Sequence, residues 1–149
     1  MRAIVQRALD ASCTVDGKVV SSIDKGFMIL VGFTHTDTID EIKLLSRKIA
    51  GLRVFEDECG KLNKGIKDIG GSILAISQFT LYADCKKGYR PSFIRAGKPE
   101  MANEMYEYII SKCKEEIPVV ASGIFGADMK ISLLNDGPFT IILDSAEIC

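Results

Sequence analysis

The hydrophobic pattern of the chain is clearest at its middle. Ile73-Leu74-Ala75-Ile76 is wholly apolar and passes without a break into Ser77-Gln78-Phe79-Thr80-Leu81-Tyr82, where polar and apolar residues alternate. A strand that runs from a buried core out to a working edge has this pattern. Near the start, Ala3, Val5, Arg7 and Leu9 share one parity, and Arg2, Ile4, Gln6 and Ala8 the other. In a strand, Arg7 would therefore lie on an apolar face. Either it is buried, with carbonyls or a carboxylate on its N–H donors, or it snorkels from an edge to water. Asp16-Gly17 between two β-rich runs predicts a type I′ hairpin, Asp24-Lys25-Gly26 a further turn, and Phe27 to Val31 a buried strand. Residues 1–33 thus read as an antiparallel meander.

Helical spacing follows. Thr38 and Glu41 form a capping box ahead of Ile39, Ile42, Leu45 and Ile49, with Gly51 as the stop. Pro99 opens a second helix with an apolar stripe of Met101, Met105, Tyr108 and Ile109. Arg53 to Phe55 and Val119 to Ala121 read as short strands, Lys61 to Asp68 as an irregular connection, and Met129 to Leu133 and Phe139 to Leu143 as the closing strands. Asn135-Asp136-Gly137-Pro138 separates these last two. An ordinary four-residue hairpin loop accounts for that composition; the alternative is a backbone tip that must approach something closely. About eight strands with two helices set apart predict an α+β fold with a mainly antiparallel sheet or open barrel.

The chain's 149 residues suit one domain, 1–149. The first residues carry no signal-peptide core, and the longest apolar run, Phe27 to Val31, is too short to span a bilayer, so a cytoplasmic protein with no membrane partner is expected. Five cysteines with no Cys-x-x-Cys spacing and a single histidine, His35, predict free thiols and no metal site. A formal net charge of −1 argues against generic binding to DNA or RNA. Any anionic partner has to meet a local patch. One candidate is the stretch from Cys85 to Lys98, where Lys86, Lys87, Arg90, Arg95 and Lys98 fall among no acidic residues; a solvated loop would look the same.

No G-x-S-x-G, Walker loop, G-x-G-x-x-G or H-E-x-x-H occurs in the chain. A serine or cysteine nucleophile would have only His35 as its base, in a Thr/Asp-rich loop where a plain surface role is expected. What remains is a site working through hydroxyls, an amide and main-chain donors. Such a site can hold an oxyanion with backbone N–H donors, but it needs either a weakly demanding reaction or a substrate that brings its own base.

SQFTLYAD (Ser77 to Asp84), RPSF (Arg90 to Phe93), FGADM (Phe125 to Met129) and NDGP (Asn135 to Pro138) together resemble the D-aminoacyl-tRNA deacylases of bacterial and eukaryotic type. The opening with Arg7 and the Asp16-Gly17 hairpin resemble that family too. Cys85, Tyr89 and Phe139 depart from its usual residues. The resemblance implies an esterase that frees D-amino acids, and glycine, from the 3′-terminal adenosine of mischarged tRNA, with no cofactor. It implies a homodimer in which Gly137 and Pro138, joined by a cis bond and held by Arg7, enter the partner's pocket and exclude L side chains. Ser77, Gln78, Phe79 and Thr80 would form the cleavage site, Phe125, Met129 and Ala102 the adenosine pocket, and Lys86, Lys87 and Arg90 the tRNA backbone contacts. Two mechanisms stay open: Thr80 as nucleophile, or water assisted by the ribose 2′-hydroxyl with the Phe79 and Thr80 N–H groups on the oxyanion. A non-catalytic RNA-binding module and a structural dimerisation domain are the competing readings.

Overall fold

The structure, a computed structural model, describes residues 1–148; the predicted thiol of Cys149 lies outside the described residues. It is α+β. Strands β1 (Arg2–Val15) and β2 (Lys18–Gly32) form a long hairpin, followed by helix α1 (Ile39–Gly51), strands β3 (Arg53–Glu56), β4 (Leu62–Gly65) and β5 (Ser72–Ser77), and a 3-10 turn, Phe79–Tyr82. Helix α2 (Pro99–Glu116), strands β6 (Val120–Ser122) and β7 (Lys130–Asp144), and the short helix α3 (Ser145–Ile148) complete the described chain. Five strands make one sheet in the order β6-β5-β2-β1-β7, and β3 and β4 pair separately. The main sheet is mixed, where a mainly antiparallel sheet or open barrel was expected: β1 pairs antiparallel with β2 and β7, whereas β2–β5 and β5–β6 are parallel. Parallel neighbours need a crossover, and α1 and α2 supply the two connections.

Asp16 and Gly17 adopt φ of 50° and 76°, the positive pair that a two-residue hairpin turn requires, with Val15 opposite Lys18. The turn expected at Asp24 to Gly26 is absent, and β2 runs straight through it. Gly26 serves a different end: a Cβ there would overlap the Ser72 backbone where β5 comes alongside. The glycine marks a close strand approach rather than a reversal. Lys61 to Asp68 likewise contains β4 and is more regular than its composition predicts.

The capping box forms as expected: Thr38 N–H donates to the Glu41 carboxylate at 2.7 Å and Asp40 N–H to Thr38 Oγ1 at 3.3 Å. Ile42, Leu45 and Ile49 are buried, whereas Ile39, in the first turn, is half exposed. On α2 the buried stripe is Ala102, Tyr106, Ile109 and Cys113, turned one position from the predicted one. Met101, Met105 and Tyr108 flank it along the groove between the helices. The small Ala102 lets α2 approach the sheet, and the Tyr106 hydroxyl then reaches the Ala75 carbonyl at 2.8 Å.

Both faces of the sheet are covered along β5 and the part of β2 beside it, while Leu134 and Ile142 on the edge strand β7 are exposed. Ala3, Val5, Phe27, Ile29, Val31, Ile73 and Ala75 pack with the helices, while Met28, Leu74 and Ile76 cluster with Ala8, Ala11, Cys13 and Ile23. Complete burial of each Val, Ile, Leu, Phe or Met among them contributes about 1.5–3 kcal/mol. This two-sided cover explains why residues 73–76 are continuously apolar. Cys13, Cys59, Cys85 and Cys113 are free thiols. No helix among the described residues is long and apolar enough to cross a membrane.

β7 carries the largest departure from the expected pattern. It is one strand from Lys130 to Asp144, so Asn135 to Pro138 is not a hairpin loop. Ala8 pairs with Asn135 and Gln6 with Thr140, so Arg7 alone on β1 faces Asp136, Gly137, Pro138 and Phe139 on β7. The motif is a bulge pushed out of an edge strand.

Candidate active site

The predicted strand from 73 to 82 stops at Ser77, and its last four residues form the 3-10 turn instead. β5 stays in register with β2 through one more bond, Gln78 N–H to Val31 C=O at 2.7 Å. Beyond this point β2 has ended and the chain turns over Gly32. A Cβ on Gly32 would lie 2.8 Å from the Gln78 carbonyl oxygen and 3.1 Å from Leu81 Cβ, so the missing side chain makes room for the turn. Leu81 N–H donates to Gln78 C=O at 3.3 Å and Ala83 N–H to Thr80 C=O at 3.0 Å. Phe79 and Thr80 open the turn, and the first N–H groups of a helical segment have no partner within its own ladder. The Gln78 side-chain amide donates to Thr80 Oγ1 at 2.5 Å.

A cleft of about 720 Å³ opens beside this turn. Ser77, Gln78 and Phe79 line it from β5 and the turn, Ala102 from α2, and Phe125 and Met129 from the segment ahead of β7. Six predicted site residues, far apart in sequence, are thereby brought together. Thr80 is not among the lining residues; it sits exposed just outside. Lys98, the last residue of the predicted basic patch, also lines the cleft, as does Phe93, to which the sequence assigned no role of its own. Phe93 packs edge-on to Phe79 with ring centroids 5.0 Å apart. Its signal was the RPSF motif, where the apolar residue closing a basic loop has a packing use. Tyr106 was also missed. Its hydroxyl bonds to Ala75 C=O and its ring lies 6.0 Å from that of Phe125, and burial pushes its pKa up to about 12, so it is a neutral fixture behind the pocket.

Lys86, Lys87 and Arg90 are exposed on the loop after the turn. Asp84 and Ser92 close the neck of that loop with a reciprocal backbone pair at 2.8 and 2.9 Å, and the Asp84 carboxylate accepts Lys86 N–H at 2.9 Å. His35 is exposed, and its ring Nε2 lies 2.8 Å from the Ile94 carbonyl oxygen on the same loop. That contact ties down the loop; among the described residues no carboxylate is paired with His35.

Gly137 and Pro138 lie apart from the cleft of their own chain. They form the exposed tip of the β7 bulge, joined by a cis peptide bond. Arg7 lies beneath the tip. Its Nε donates to Asp136 C=O at 2.8 Å, its NH1 to Val54 C=O at 2.9 Å, and its guanidinium carbon is 4.9 Å from the centre of the Phe139 ring. Of the two readings of Arg7, the partnered one is correct: its side chain is 12% exposed and carbonyls take its donors. Asn135 Oδ1 accepts Phe139 N–H at 2.7 Å across the base of the bulge.

Hydroxyl, amide and main-chain groups set beside an apolar pocket, with basic side chains on the adjoining loop, mark this cleft as the candidate active site of an α+β protein. A family model described as D-Tyr-tRNA(Tyr) deacylase matches residues 4–144, and the chain belongs to that family. It is 57% identical to a D-aminoacyl-tRNA deacylase of Clostridium novyi (strain NT), over 97% of each chain. With a D-aminoacyl-tRNA deacylase of Thermus aquaticus it shares 53% identity over 99% of this chain and 97% of the relative. The solved structure of the c-Myc DNA Unwinding Element Binding Protein superposes with a TM-score of 0.91 at 40% identity, covering 97% of this chain and 98% of that one.

Proposed function

We propose that this chain, as a single domain spanning 1–149 and acting as a cytoplasmic homodimer, removes D-amino acids from mischarged tRNA, also releases glycine from non-cognate tRNA, and rejects L-aminoacyl-tRNA. Family membership makes it a D-aminoacyl-tRNA deacylase, a hydrolase with aminoacyl-tRNA as its substrate. The observation that carries the finer reading is the division of the predicted site into two separated parts. Ser77, Gln78 and Phe79 line the cleft, while Gly137 and Pro138 project from the opposite edge strand, away from their own cleft. A second copy brings the halves together: its bulge enters this cleft and presents backbone carbonyls to the aminoacyl group. Steric exclusion at Cα suits a site that must reject every L-amino acid, because the only difference they all share from the D forms lies at Cα. Arg7, bonded to Asp136 C=O and packed on Phe139, supports a stiff tip.

In the cleft, Phe125, Met129 and Ala102 receive the terminal adenosine, and Lys86, Lys87 and Arg90 meet the phosphates beyond it. Water, assisted by the ribose 2′-hydroxyl, adds to the ester carbonyl carbon. The Phe79 and Thr80 N–H groups hold the resulting oxyanion. The bond to the 3′-oxygen then breaks, giving the free amino acid and the tRNA 3′-hydroxyl. Thr80 as nucleophile is the weaker alternative: its oxygen accepts a hydrogen bond from the Gln78 amide, which withdraws electron density where a nucleophile needs a base.

The direct test measures deacylation of D-Tyr-tRNA and L-Tyr-tRNA side by side. Fast turnover of the D form alone is expected; equal rates, or none, would sink the reading. Thr80→Ala should keep substantial turnover, and its abolition with tRNA binding intact would restore Thr80 as nucleophile.

A further inference from the structure

Arg2 lies outside the cleft, yet it grips the turn that borders it. Its Nε donates to Asp144 Oδ2 at 2.7 Å and its NH1 to the carbonyl oxygen of Leu81 at 2.9 Å, while its guanidinium carbon sits 4.8 Å from the centre of the Tyr82 ring. Leu81 and Tyr82 are the last two residues of the 3-10 turn that opens with Phe79 and Thr80. The far end of the turn is fixed by Gln78 N–H on Val31 C=O. Between these points two main-chain bonds, Leu81 N–H to Gln78 C=O and Ala83 N–H to Thr80 C=O, hold it in shape. So short a segment has little rigidity of its own, and its geometry is set by what clamps its ends.

The clamp is itself well held. Arg2 faces Asp144 directly in the β1–β7 register, and the other Asp144 oxygen accepts Ala146 N–H at 3.0 Å. The Asp144 side chain is 12% exposed and Tyr82 is 4% exposed, while the Arg2 side chain is 32% exposed, so the partners of the guanidinium are buried and the guanidinium itself is partly reached by water. A planar fork reaches a carboxylate, a carbonyl and an aromatic face at once; an ammonium cannot.

We propose that Arg2 is a positioning residue for the deacylation: by fixing the Leu81 end of the turn it aims the Phe79 and Thr80 N–H groups at the oxyanion. This rests on the reading above, in which those two groups carry that charge.

The test uses the full chain and D-Tyr-tRNA, with kcat and KM measured separately for Arg2→Lys, Arg2→Met and Asp144→Ala. A misplacement approaching 1 Å at a reacting centre costs on the order of 100-fold. We expect kcat to fall about 10- to 100-fold in Arg2→Met, with KM within about threefold because the basic loop is untouched. Arg2→Lys should recover only part of the loss. Asp144→Ala, which frees the guanidinium, should lower kcat in the same direction. Amide exchange of the segment 78–83 should quicken in all three. Unchanged kcat in both Arg2 variants, or a loss confined to KM, overturns the positioning role while the deacylase reading stands. If the unaltered protein shows no D-selective turnover, the underlying reading fails and this proposal falls with it.

Discussion

Replacing Gly32 by alanine places one methyl group against the back of the turn proposed to carry the oxyanion donors. The new Cβ would lie 2.8 Å from the Gln78 carbonyl oxygen, 3.1 Å from Leu81 Cβ and 3.5 Å from Leu81 Cδ1. A carbon and a carbonyl oxygen rest at about 3.3–3.6 Å, so the gap has to open by roughly 0.5 Å. Gly32 is not among the residues with positive φ, so alanine meets no backbone penalty and the effect is steric. The main sheet is the stiffer side of the contact, since Gly32 pairs with Arg2 inside it. The turn therefore moves and takes Phe79 and Thr80 with it. Overpacking of this kind costs about 1–3 kcal/mol, and for a chain of this size Tm falls by about 2–4 °C per kcal/mol. A half-ångström shift of oxyanion donors should lower single-turnover deacylation of D-Tyr-tRNA on the order of tenfold. If Gly32→Ala melts earlier but deacylates at the unaltered rate, the turn does not supply the donors and the mechanism above is wrong.

Gly137→Ala should abolish D-aminoacyl turnover while leaving a cooperative melt: its Cβ would lie 2.8 Å from Phe139 N at a φ of +151°, in an exposed bulge that is not part of the core. A merely structural role predicts a shift in Tm with turnover retained. Alanine at Lys86, Lys87 or Arg90 should weaken tRNA binding for all sequences alike, and each should reduce the slope of log K against log salt by about 0.7–0.9, measured by filter binding. An unchanged slope would return that loop to the status of a solvated surface. Burial works against the charge on Asp144, but the hydrogen bonds from Arg2 and from Ala146 N–H outweigh it and hold the carboxyl below its ordinary pKa. Its folded pKa is depressed, so its contribution to stability is present above the unfolded value of about 3.9 and is lost as pH falls through the folded one. The gap in urea midpoint between the native chain and Asp144→Asn should accordingly be open at about pH 6 and narrow progressively as pH falls below about 3.9.

Short-range signals in the sequence were read correctly wherever neighbouring residues decide the outcome. The Asp16-Gly17 turn needs two residues with positive φ, and the Thr38–Glu41 box needs one turn of helix; both are present. Pro99 starts α2 for a similar local reason. Misreadings fall where the partner is remote. Gly26 looked like a turn residue because the strand it must admit, β5, lies more than forty positions further on. Asn135 to Pro138 has the composition of a loop, and only its pairing with β1 makes it a bulge inside one continuous strand. Alternation continued through Tyr82, but the end of β2 at Gly32 removed the partner and the chain coiled into a 3-10 turn.

The site divides along the same line. Residue types fitted for the chemistry, Ser77 to Thr80, the Gly-Pro pair and a basic loop, stand in the sequence, because hydroxyls, main-chain donors and charges are properties of single residues and short motifs. Their grouping was decided by tertiary structure. The parallel pairing of β5 with β2 set where the turn falls, the packing of α2 brought Ala102 to the cleft, and the bulge on β7 carried Gly137 and Pro138 away from it. Phe93 and Arg2 meet that turn only in the folded chain, through a ring contact and a hydrogen bond to Leu81 C=O. Spacing along a chain bounds local geometry; distance between remote residues follows from how the sheet and helices pack, which no single stretch encodes.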